Sequence, residues 1–182
     1  MTTTVLLAMD LQAGIVAGYD DAVVERAGAA IAAARARGIP VVYVRVAFRP
    51  GHPEIAGTNR IFGAARDAGR LVEGDPASAI DPAVAPRDGD IVVVKRRVSA
   101  FAGSDLAVVL RGLGATDLVL CGVSTSGVVL STLREAADLD FGLTVLADAC
   151  ADRDPEVHRV LTGKVFRSQA EVLDVAVWAA RA

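Results

Sequence analysis

Two charged residues stand at the ends of short apolar runs. Asp10 follows Leu6-Leu7-Ala8-Met9, and Lys95 follows Ile91-Val92-Val93-Val94. A carboxylate in such a place is partly desolvated, which raises its pKa and suits it to give and take protons. An aspartate there can equally cap a helix or order a loop. The lysine can pair with the aspartate, hold an anionic substrate, or stand solvated at a strand end. The third feature is the turn Gly122-Val123-Ser124-Thr125-Ser126-Gly127, which leads from an apolar run into a helical pattern. Free backbone N–H groups at a helix start can hold a carboxylate or a developing oxyanion. The same composition also makes a plain cap. Arginines cluster at Arg45 to Arg49 and at Arg96-Arg97, enough to meet a small carboxylate.

The elements that must position these residues follow from the hydropathy pattern. Val5–Met9 is a continuous apolar run, as in a strand buried on both faces. Asp20 or Asp21 caps a helix to about Arg37, and Gly38 and Pro40 stop it. Val41–Val46 is a second strand. The long segment 47–90, rich in Gly, Pro, Asp and Arg, carries one short helix near Arg60–Ala68; loops of this length tend to be functional. Ile91–Val94 is a strand, and Ser104 or Asp105 caps a helix to Leu113. Asp117–Cys121 is a strand, followed by the turn and a helix to Leu139. Leu143–Ala147 is a strand, Pro155–Lys164 a helix and Glu171–Val175 a last strand. This alternation predicts a three-layer Rossmann-like α/β fold, a parallel sheet with helices on both faces. Ligands then sit outside the carboxyl ends of the strands, where strand order reverses. Asp10, Lys95 and the turn at 122–127 all fall at such ends.

Bulk properties narrow the function. The 182 residues, 53% of them apolar, suit one domain spanning 1–182 with a sizeable core. A net charge of −3 and 4% aromatics provide neither an electrostatic footprint nor a stacking platform for nucleic acid, and no field for an acidic membrane surface. The start, Met-Thr-Thr-Thr, shows no basic n-region before an h-region, and no apolar run approaches a membrane span. A cytoplasmic protein is expected, with Cys121 and Cys150 as reduced core residues.

Taken together, Met9-Asp10-Leu11-Gln12, Val94-Lys95 with Ser99, Phe101 and Asp105-Leu106, Leu120-Cys121-Gly122-Val123-Ser124-Thr125, Thr132, Ala136 and Ala147-Asp148-Ala149 resemble the isochorismatase-like hydrolase superfamily. That group includes nicotinamidases, N-carbamoyl amidohydrolases and isochorismatases. The resemblance covers essentially the whole chain. It implies that Asp10 and Lys95 are two members of an Asp–Lys–Cys triad. The nucleophile position, six residues after Gly122, is Val128 here, and a valine cannot attack a carbonyl. The resemblance also implies a cis peptide at Val123–Ser124, an oxyanion or carboxylate-binding turn made by Val123, Ser124, Thr125 and Val128, and a homo-oligomer. Nicotinamidase-type members hold a metal with several loop histidines. This loop has only His52, so no metal and no other cofactor is expected.

True isochorismatases also lack the cysteine. They protonate the methylene carbon of a vinyl ether and need an acid rather than a nucleophile. The leading expectation is therefore a cofactor-free hydrolase with Asp10 as acid, Lys95 beside it, and isochorismate or a related carboxylated enol ether as substrate. The expected substrate contacts are Gln12, Arg45, Phe48, Arg49 and Arg96. The Ser124-Thr125 pair looks more like the amidohydrolase branch. Two alternatives stay open on that account: a non-catalytic small-acid binder, and an amide hydrolase with a substitute nucleophile from Ser124, Thr125, Ser126 or Cys121.

Overall fold

The computed structural model describes residues 3–181. Met1, Thr2 and Ala182, which bound the expected domain and begin the leader reading, lie outside them. Six parallel strands form one sheet in the order β3-β2-β1-β4-β5-β6. They are β1 (Thr4–Met9), β2 (Val41–Val46), β3 (Ile91–Lys95), β4 (Asp117–Val123), β5 (Gly142–Ala151) and β6 (Glu171–Leu173). Strand order reverses between β1 and β4, so the ends of these two strands flank the crevice where such sheets bind ligands.

The continuous apolar runs are explained by burial on both faces. Leu6 and Ala8 face α2 (Asp21–Ala36) and α7 (Val175–Ala179), in a cluster with Ala27, Ile31 and Trp178. Val5, Leu7 and Met9 face α4 (Leu106–Gly112) and α5 (Leu130–Asp138), in a cluster with Leu106, Leu110 and Leu133. Full burial of each branched side chain is worth roughly 1.5–3 kcal/mol. α2 starts as its sequence predicts, with the Asp20 carboxylate accepting from the Ala22 N–H at 2.9 Å. The helix in the long segment, α3, spans Arg60–Asp67, and Asn59 caps it through the Phe62 N–H at 3.0 Å. No helix among the described residues is long and apolar enough to cross a membrane.

Several boundaries differ from the sequence expectation, among them that of β6, which stops at Leu173 rather than Val175 because Val175 begins α7. β4 runs two residues past Cys121, and β5 runs four residues past Ala147. Asp148 does not end β5, because its carboxylate has work inside the fold: it accepts from the Val175 N–H at 2.8 Å and so holds the start of α7. α7 and the short α1 (Ala13–Val16) were not expected; at four and five residues they are below the length at which periodicity shows. The expected helix after Pro155 is α6 (Pro155–Val160), followed by the wider helical turn Leu161–Val165. Cys121 and Cys150 are free, buried, and packed in clusters on opposite faces of the sheet.

Candidate active site

In a regular strand Asp10 would continue the Leu6–Ala8 side. Its φ of 54° instead turns the chain out of β1, while its N–H stays on the Val44 carbonyl at 2.8 Å. Lys95 continues the side of Val93, on β3, two strands away. Adjacent strands are about 4.8 Å apart, so the charge must cross about 10 Å, which calls for a long stem. The ammonium arrives: Lys95 Nζ lies 2.9 Å from Asp10 Oδ2 and donates to the Arg97 carbonyl at 2.9 Å. An ammonium carries three hydrogens, so one is left over. Both side chains are almost wholly buried, at 1% and 9% exposure. Asp10 Oδ1 is buried with no hydrogen-bond partner. Burial raises the Asp10 pKa above its usual value, and the Lys95 charge takes back part of that rise.

Beside Asp10, β4 comes unusually close. Gly122 has φ 130°, and a Cβ there would sit 1.9 Å from the Met9 carbonyl oxygen. The peptide that follows, Val123–Ser124, is cis. The chain then makes the wide turn Thr125–Val129 before α5. Much of this turn is held by its neighbours. The Gly127 and Val129 N–H groups donate to the Ser124 carbonyl, at 3.2 and 3.3 Å. The Ser126 N–H donates to Asp152 Oδ2 at 2.7 Å. Those three amides are committed within the protein. Thr125 is fully buried, its Oγ1 lying 2.8 Å from Nδ1 of His158. Val128 is buried in the α4–α5 core cluster with Phe101 and Leu133.

The expected substrate contacts fare differently. Gln12 is spent on the backbone: Nε2 donates to the Val46 and Ser78 carbonyls at 2.9 and 2.8 Å, and Oε1 accepts from the Val46 N–H at 2.8 Å. It ties the exit of β1 to the end of β2 and offers no free group. Phe48 is fully buried, edge-on to Phe62 at 5.1 Å, so it is a core residue. Arg49 pairs with Glu54 at 2.7 Å, and Arg96 with Glu73 at 2.6 Å and with the Ala47 carbonyl. Both charges already have carboxylate partners. Arg45 projects from the α2 side of β2 into a surface groove with Asp75, Pro76 and Pro86. None of these five joins Asp10 and Lys95 in the way expected. His52 Nε2 donates to the Arg70 carbonyl at 2.7 Å, and its ring packs on Phe48. Among the described residues no cluster of three or more His, Cys, Asp or Glu gathers to hold a metal.

Four residues at this end of the sheet were missed: Tyr19, Asp152, Arg153 and His158. The Tyr19 hydroxyl faces Ser124 and Arg153. Burial lowers the His158 pKa, and Asp152 partly opposes it. Asp152 and Arg153 directly follow β5, so the strand-end rule finds them once that strand is given its true length.

Comparison with known proteins accounts for this combination of fold, pair and turn. The Isochorismatase domain model matches residues 4–177. The chain belongs to the isochorismatase family. Among its isochorismatase-family relatives is the uncharacterized protein YecD of Escherichia coli O157:H7, 38% identical over 181 residues, covering 95% of this chain and 93% of that one. Another is the ureidoacrylate amidohydrolase RutB of Methylobacterium radiotolerans, 31% identical, covering 97% and 78%. A solved isochorismatase family protein from Burkholderia thailandensis superposes with a TM-score of 0.84 at 31% identity, over 96% of this chain and 92% of that one. Membership makes the chain a hydrolase of the isochorismatase family, and the parallel α/β sheet is the family's fold.

Proposed function

We propose that the chain hydrolyses a small unsaturated carboxylate by proton transfer from Asp10, without a covalent enzyme intermediate. Isochorismate or a related carboxylated enol ether is the leading substrate. The observation that carries this reading is Asp10 Oδ1, a buried carboxylate oxygen with no partner, on a group whose pKa burial raises. Such a carboxyl is suited to the protonated state and to aiming a proton at a bound molecule.

Asp10 gives its proton to the methylene carbon of the enol ether, and the C=C pair becomes the new C–H bond. The resulting oxocarbenium ion takes up water, which returns a proton to Asp10. The hemiketal then breaks its C–O bond to the alcohol and releases pyruvate. Water is the only co-reactant. The remaining hydrogen of Lys95 Nζ is free for a substrate carboxylate, which would draw the ammonium charge off Asp10 and favour the protonated acid.

The test is continuous pyruvate release from isochorismate, with and without iodoacetamide. Turnover unaffected by the alkylator is the expected result; no pyruvate from a folded preparation overturns the enol-ether assignment. The pH profile carries a sign. A reaction that needs protonated Asp10 runs fully below the raised pKa and falls as pH climbs through it. A rate that grows with pH across that limb contradicts the acid role.

The amidohydrolase relative, together with the 2.8 Å Thr125–His158 contact, favours a second reading. Here Thr125 would attack an amide with His158 as base. Full burial of Thr125 weighs against it. Mass spectrometry after reaction with ureidoacrylate separates the two, since only this route leaves an acyl group on Thr125.

A further inference from the structure

A cavity of about 250 Å³ lies between α1, α3 and the segment 70–78. Asp10 and Lys95 are not among its lining residues. Its wall is largely apolar, built from Ile15, Ile61, Phe62, Ala65 and Leu71. Ile61 is 70% exposed, an uncommon place for a large aliphatic side chain on an amphipathic helix that already buries Phe62 and Ala65. Two arginines, Arg70 and Arg153, are also among the residues that line the cavity. Among the described residues neither has a carboxylate within salt-bridge distance, whereas Arg49 and Arg96 are both paired. Asp75 lines the cavity too, but its Oδ1 accepts from the Ala77 N–H at 2.9 Å and caps the short turn there. A second polar group without a partner stands beside the cavity, at Ser78. It forms part of the wall, is 1% exposed, and its Oγ is buried with no hydrogen bond.

Unpaired positive charge at the edge of an apolar cavity selects an amphipathic anion. A cavity of about 150 Å³ is enough to take up benzene, so this one has room for a six-membered ring and a carboxylate. It is too small for a nucleotide or a peptide segment. We propose that this cavity binds a small monocarboxylate. Its compact apolar body lies against Ile15, Ile61, Phe62 and Leu71, and its carboxylate is taken by Arg70 and Arg153. The proposal concerns binding and does not depend on the acid role of Asp10.

The test is calorimetric titration with benzoate and with benzamide, its uncharged counterpart, followed by methyl NMR on the isoleucines. Saturable benzoate binding that shifts the Ile61 methyl signals is expected, with benzamide weaker by about tenfold or more. Arg70→Gln and Arg153→Gln are each expected to weaken benzoate by about fivefold to tenfold and leave benzamide unchanged. Both arginines are exposed, so these variants put the fold at little risk. Asp10→Asn is expected to leave benzoate affinity unchanged. The proposal is overturned by any of four results: no saturable binding, equal affinity for acid and amide, full affinity in both arginine variants, or a loss in Asp10→Asn as large as theirs. The last would put the acid on the Asp10–Lys95 pair instead.

Discussion

Asp10→Asn is expected to lower turnover of a carboxylated enol ether by about 10²- to 10⁴-fold, the usual worth of a positioned general acid. Asparagine keeps the shape and can still accept from Lys95 Nζ, but it has no proton to give to carbon. The variant also leaves the buried Lys95 ammonium without its counterion. Breaking one side of a buried pair costs about 3–5 kcal/mol, so a lower melting temperature is expected alongside the rate loss. The double variant Asp10→Asn/Lys95→Met separates the two effects. Removing the stranded charge should recover much of the stability and none of the turnover. Steady-state kinetics and thermal melts on the three proteins check this. A folded Asp10→Asn protein that keeps its rate within about tenfold would remove Asp10 from the chemistry.

The second large effect is structural. Gly122→Ala would place a methyl carbon 1.9 Å from the Met9 carbonyl oxygen, at a φ of 130°. The clash is with backbone, in a register where Met9 lies opposite Gly122 across β1 and β4, so no side chain can give way. A loss of more than about 4 kcal/mol is expected, in the range reserved for strained or overpacked positions. Gly63→Ala is the control. That glycine lies inside α3, and a Cβ there would meet nothing within 4 Å. It should stabilise by roughly 0.5–1 kcal/mol. Urea denaturation midpoints read both. Comparable stabilities for the two variants would mean that β1 and β4 do not need this approach.

The sheet was legible because its strands are buried on both faces and therefore uniformly apolar, and because each such run ends in a charge or a turn. That was enough to find Asp10, Lys95 and the 122–127 turn, whereas Val128 stood out only through the family resemblance, which places the nucleophile six residues after Gly122. The arginines were not legible in the same way. Whether Arg49 and Arg96 are free for a ligand depends on Glu54 and Glu73, and the folding of the 47–75 loop sets where those carboxylates lie. Gln12 looked like a polar contact beside Asp10; only the approach of Val46 and Ser78 shows that its amide is fully used. Asp148 read as the end of a strand because an ionisable group in a sheet is costly unless it is satisfied, and its partner is 27 residues away. That one misplaced boundary hid Asp152 and Arg153, and with them the cation that faces the cavity.

The two cysteines on opposite faces of the sheet make the chain nearly silent to electrophiles. Burial pushes the Cys121 thiol up to about 12 and raises that of Cys150 as well, so neither supplies appreciable thiolate near neutral pH. The sequence holds no other cysteine. A single thiol introduced at an open surface position would thus take a fluorophore or spin label alone, with no background to subtract. Ile61→Cys would put such a label at the mouth of the cavity, where its emission or mobility would follow occupancy in real time.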